Sequence, residues 1–128
     1  MISVLVEVVK STRNAMERGS SMKTLKFSTE LVPLILSGEK TSTWRLFDDK
    51  DLKINDMVSF VDSVTKKEFS KAQIIAVKEK ALGQIDDEDF EGHERFESKE
   101  KMISTYRSYY GNSVNKDTIV KIVDFKLV

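Results

Sequence analysis

The chain has 128 residues, 40% of them apolar and 33% charged, with 21 Lys and Arg balanced by 21 Asp and Glu. That is the size of one ordinary domain, and the even charge argues against binding polyanions by bulk attraction, so a nucleic-acid role needs a local basic patch. With no cysteine and a single histidine, His93, the chain excludes disulfides, thiol catalysis and the usual zinc ligand sets; no metal and no cofactor are expected.

Residues 1–21 open with a short apolar run broken by Glu7, and the positive charges follow it, the wrong order for a signal peptide. No segment reaches the length of a membrane span, so the chain reads as cytoplasmic with no membrane partner. "RGSSM" reads as a linker and Met22 as a candidate start. Residues 1–21 are then an N-terminal extension or an upstream artefact, and residues 22–128 form the domain.

"KTLKF" (23–27) alternates as a half-buried strand. Ser28 or Thr29 then caps a short helix through Leu31, Val32, Leu34, Ile35 and Leu36, with Pro33 in its first turn and Gly38 at its end. "TSTWRLF" (41–47) is a strand. A turn at Asn55-Asp56 leads to a strand with Val58, Phe60 and Val64, and residues 66–82 make a long strand with a bend, joined to its predecessor by a polar turn near Thr65. Ser98 caps a helix carrying Met102, Ile103, Tyr106, Tyr109 and Tyr110 until Gly111 stops it. The closing strand shows Ile119, Lys121, Val123 and Phe125 on one face and Val120, Ile122, Asp124 and Lys126 on the other. The pattern is α+β, about five strands with two short helices, and a small curved sheet closing toward a barrel fits it.

"GEKTSTWR" (38–45) crowds polar chemistry where a helix hands over to a strand. In that strand Thr41, Thr43 and Arg45 share one face and Ser42 and Trp44 the other. A regular strand would put residues 40 and 43 on opposite faces, so Lys40 and Thr43 can act together only if Lys40 stands outside the strand or a bulge intervenes.

The segment resembles the signature of the ASCH domain, a member of the PUA-like superfamily. "INDMVSF" resembles that family's next element, with Asn55 where a glycine is usual, and "FESKEKMISTYRSYYG" resembles its late helix. The resemblance covers about residues 22 to 128 and implies a PUA-like small curved β-barrel of about five strands with two or more short helices at its ends. Within the family, the small bacterial N4-acetylcytidine amidohydrolases are most similar in length and in the pattern GxKTxTxR. That resemblance implies a catalytic set of Lys40, Thr43 and Glu94, with Glu91 the alternative to Glu94, and Arg45 and Trp44 as substrate contacts.

The chemistry is coherent without a metal. Amide hydrolysis needs a nucleophile, a base to take its proton and an acid to protonate the departing amine. Thr43 supplies the hydroxyl, Lys40 the base if burial or nearby Arg45 lowers its pKa, and Glu94 the acid. Arg45 or a backbone N–H would stabilise the oxyanion. The expected partner is a nucleoside or RNA.

Two other classes stay open. One is a non-catalytic RNA-binding module using Lys40, Arg45 and the lysines of 66–80 on phosphates, with Trp44 or a tyrosine stacking a base. The other is a protein-interaction domain. Structural roles compete at each residue: Arg45 as ion-pair partner of Asp48, Trp44 as packing, Glu94 as a solvated charge, His93 as incidental and the three tyrosines as helix packing. The oligomeric state is not legible.

Overall fold

Alternating apolar residues build the strands, and the computed structural model describes residues 22–128, so the expectation for residues 1–21 lies outside the described residues. β1 is Lys23–Phe27, β2 Ser42–Leu46, β3 Met57–Asp62, β4 Glu68–Ala81 and β5 Ile119–Leu127, with helices α1 (Val32–Ser37) and α2 (Lys99–Tyr110). The strands form one sheet in the order β1-β3-β4-β5-β2, curled into a half-barrel. β1 pairs β3 in parallel and every other pairing is antiparallel. The edge strands are therefore β1 and β2, and the open seam of the half-barrel runs between them.

Each face of the sheet carries its own core. On one face Leu25, Phe27, Val58, Phe60, Ile74, Val123 and Phe125 pack together with Ile35 of α1. On the other, Trp44, Leu46, Val120 and Ile122 pack against Met102 and Tyr106 of α2. β5 feeds both, as its alternation requires. The expected bend in β4 is a bulge: Ile74 pairs with Phe125 and Ala76 with Asp124, leaving Ile75 without a partner and 49% exposed. One extra residue rephases the strand and tightens its bend.

The turns carry most of the local differences. The first helix is split, a 3-10 turn at Thr29–Leu31 followed by α1, and Ser28 makes no side-chain cap bond. Gly38 ends α1 at φ 87°, a left-handed position that suits glycine. Val64 does not belong to β3, which stops at Asp62; the Asp62 carboxylate accepts from the Val64 and Thr65 amides and the Thr29 hydroxyl, and Val64 is left 74% exposed. Asn55 sits at φ 76°, which explains how it stands where the family pattern has glycine. Ser98 caps α2 as expected, its hydroxyl accepting from the Lys101 amide at 3.0 Å.

Candidate functional site

After Gly38 the chain turns back on itself, and the Lys40 amide donates to the Leu34 carbonyl at 3.0 Å. Lys40 therefore precedes β2 and stands outside the regular strand, which removes the parity conflict with Thr43. Its side chain is 4% exposed, and Nζ donates to the Ser42 carbonyl at 2.8 Å and to Glu94 Oε1 at 2.6 Å. Lys40, Thr43, Trp44, Arg45, His93 and Glu94 line one cavity of about 230 Å³, closed by Phe27 and Ser28 from the end of β1 and by tyrosines of α2. It occupies the seam between the edge strands. Glu91 caps the 3-10 turn Asp87–Phe90 and does not line the cavity, so Glu94 is the carboxylate that faces Lys40.

Arg45 stitches the seam. Its Nη2 donates to the Lys26 carbonyl of β1 at 2.9 Å, its Nε to Thr43 Oγ1 at 3.2 Å, and its guanidinium lies 4.7 Å from the Phe27 ring centre. It makes no ion pair with Asp48, which pairs with Lys121 at 2.8 Å instead. Thr43, with its hydroxyl accepting from Arg45, keeps its own proton available to a base.

The backbone adds a donor. Phe125 N–H donates to the Thr41 carbonyl, so that carbonyl and the peptide groups of residues 43 and 45 face β5, while the Thr41 N–H turns to the Gly92 carbonyl. Ser42 and Trp44 direct theirs the other way, into the seam. Ser42 spends its groups on the Gly92 carbonyl and Lys40 Nζ, and the N–H of Trp44 faces the opening.

The loop that delivers Glu94 is held at three points. Asp89, whose side chain is fully buried, pairs with Lys78 at 2.5 Å and Lys80 at 2.7 Å, tying the 3-10 turn to β4. Burial acts upward on the Asp89 carboxyl, but the two lysines hold it well below the usual range. Gly92 then accepts from the Thr41 and Ser42 amides at 2.9 and 3.1 Å. His93 stacks on Trp44, ring centres 4.1 Å apart and 17° between planes, with a side chain 3% exposed. Sequence reasoning dismissed His93 and overlooked Gly92; the one available signal was their adjacency to Glu94 in "EGHERF".

Trp44 is 3% exposed and surrounded by His93, Phe90, Phe96 and Tyr106, so it shapes the cavity wall mainly as a packing residue. Tyr106 is buried, whereas Tyr109 is 68% exposed at the rim. The lysines of 66–80 do not gather at the cavity: Lys71 pairs with Glu68, and Lys78 and Lys80 with Asp89.

Burial lowers the Lys40 pKa, Glu94 offsets part of that, and Arg45 adds to the lowering. Burial acts upward on Glu94, but its neighbours His93 and Lys40 outweigh it and hold the carboxyl below its ordinary value. Burial, then Lys40, push His93 down to about 4, so near neutral pH the ring is uncharged and Lys40 is the charge Glu94 sees. Among the described residues no cluster of three or more His, Asp or Glu is placed to hold a metal ion, and no helix is long and apolar enough to cross a membrane.

The same fold recurs in solved structures. Protein EF3133 of Enterococcus faecalis V583, of family DUF984, superposes with a TM-score of 0.69 at 16% identity over 85% of this chain and 82% of its own. The ASCH domain from Lactobacillus crispatus gives 0.65 at 16% identity over 84% and 79%. The ASCH protein of Zymomonas mobilis gives 0.59 at 13% identity over 80% and 65%. The chain has the ASCH fold. No family model matches the sequence, and no curated protein is similar enough to count as a relative.

Proposed function

We propose that the protein is a metal-independent amidohydrolase acting on N4-acetylcytidine or a related acylated nucleoside, with Lys40, Thr43 and Glu94 as its catalytic residues. What supports this is a buried lysine in 2.6 Å contact with a carboxylate, in the same cavity as a threonine hydroxyl polarised by Arg45.

At rest the pair is Lys40 ammonium and Glu94 carboxylate. Substrate entry dries the cavity, which favours the neutral pair, and the proton crosses the short contact from Lys40 to Glu94. The Lys40 amine takes the Thr43 proton as Oγ attacks the acyl carbonyl carbon. The Trp44 N–H, facing the seam, receives the developing oxyanion, an interaction worth about 3–4 kcal/mol for one donor. Glu94 returns its proton to the leaving amino group as the C–N bond breaks, leaving acyl-Thr43 beside an ammonium and a carboxylate. Glu94 then takes a proton from water as its oxygen attacks the acyl carbon, Lys40 protonates Thr43 Oγ as it departs, and one proton transfer back to Lys40 restores the resting pair.

The experiment is release of cytidine from N4-acetylcytidine by wild type, Lys40→Ala, Thr43→Ala and Glu94→Gln. Each variant is expected to lose about 10²–10⁴-fold in kcat while keeping the wild-type circular dichroism. Turnover that survives in Thr43→Ala removes the covalent route, and no turnover in wild type removes this substrate.

A further inference from the structure

We infer that the cavity takes its substrate as a phosphate-bearing nucleotide, with Arg45 binding the phosphate, rather than as a bare nucleoside. The inference rests on the nucleoside pocket proposed above but not on its catalysis.

Pairing the charges around the cavity leaves Arg45 over. Lys40 is matched by Glu94 and Lys121 by Asp48, whose oxygens also accept from the Lys50 and Leu52 amides. Among the described residues Arg45 has no carboxylate within ion-pair distance. A guanidinium carries five N–H donors. One Nη2 proton is spent on the Lys26 carbonyl and the Nε proton on Thr43, so three remain without a protein partner among the described residues. One face of the group is covered by Phe27. A half-buried, fork-shaped cation with three unused donors is suited to an oxyanion such as a phosphate.

The surroundings leave room for it. Arg45 lines not only the seam cavity but two adjoining ones of about 420 and 280 Å³. Phe47 lines both of the latter, 59% exposed and edge-on to Tyr110 at 5.9 Å. It also sits at φ 53°, a strained conformation for an aromatic residue. Arg45 thus stands where the seam cavity adjoins further concave surface with an exposed ring beside it. The phosphate is a terminal monoester of a mononucleotide or a diester leading to a next nucleotide along that surface.

The test is calorimetric titration of the protein with cytidine, cytidine 5′-monophosphate and a cytidine-containing trinucleotide. Arg45→Gln and Arg45→Lys are measured alongside, each checked for folding by thermal unfolding. The monophosphate is expected to bind wild type about tenfold or more tighter than cytidine. That preference should vanish in Arg45→Gln and persist in part in Arg45→Lys, which keeps the charge and loses the fork. A trinucleotide that outbinds the monophosphate identifies the diester as the source, and one that binds more weakly identifies the monoester. Equal binding of cytidine and its monophosphate, failure of both to bind, or a preference that survives in Arg45→Gln overturns the inference; if Arg45→Gln does not fold, wild type and Arg45→Lys decide it. Hydrolysis of the acetylated forms is read separately. A phosphate preference without turnover removes the amidohydrolase and keeps the subsite, and turnover without preference does the reverse.

Discussion

Protonating His93 would put a second cation beside Lys40 in a cavity walled by aromatic rings, and the fold resists it. Nδ1 lies 2.8 Å from the Glu94 carbonyl, which can only accept, so Nδ1 carries the proton of the neutral ring. With the ring held down to about 4, against an unfolded value near 6.5, the unfolded chain binds the extra proton between those limits. Stability is then fully present above about pH 6.5, falls as pH drops toward 4, and levels off below. The loss is on the order of 3 kcal/mol at most. Urea midpoints measured from pH 7 to pH 4 should fall in wild type and stay flatter in His93→Gln; parallel curves would mean that another group is responsible. The same residue marks a limit of the sequence. Lys40, Thr43 and Glu94 were singled out through resemblance to a family pattern, whereas the burial of His93 depends on stacking against Trp44, 49 positions away in the chain (93 − 44). In an acidic run such as "DDEDFEGHE" that contact leaves no local trace.

The segment from Asp86 to Glu94 shows the same limit at the scale of an element. The strands were legible from alternation and both helix ends from Gly38 and Gly111, because those signals are local. The acidic run reads as solvated, yet Asp89 is buried, since Lys78 and Lys80 two positions apart on β4 both reach it. The parallel pairing of β1 with β3 was equally hidden, as it needs a crossover through α1 and β2. At the far end of the acidic segment Gly92 decides where Glu94 goes. Its φ is 75°, and a Cβ there would fall 2.0 Å from Thr41 Oγ1. Gly92→Ala should therefore cost about 1–3 kcal/mol of stability in urea unfolding, from the strained backbone alone or with a displaced loop. It should also slow turnover by moving Glu94 off Lys40. Adding Thr41→Ala removes the atom at 2.0 Å but not the strained φ, so the double variant should recover part of the loss. A Gly92→Ala protein as stable as wild type would show that the loop is not pinned there.

For the whole molecule, the site draws on both faces of the sheet. Thr43, Arg45 and Phe27 belong to the face with the Phe60 core; Trp44, His93 and Tyr106 belong to the face with α2. They meet only because β2 is an edge strand, around which the two faces join at the seam. Such a site persists only while both cores are intact, and the continuous strand β5 is what couples them, contributing Val123 and Phe125 to one core and Val120 and Ile122 to the other. Trp44, the single tryptophan, reports on the α2 side alone. Ile74→Val trims one methylene on the opposite face and should cost about 0.5–1.5 kcal/mol. If the sheet couples the cores into one cooperative unit, Trp44 fluorescence and far-ultraviolet circular dichroism will shift their denaturation midpoints together and by the same amount. A Trp44 transition that stays at the wild-type midpoint while the dichroism moves would mean that the α2 side unfolds separately. The cavity would then lose its Thr43 and Arg45 wall before its Trp44 wall, and ligand binding would fail at a denaturant concentration where the fluorescence still looked native.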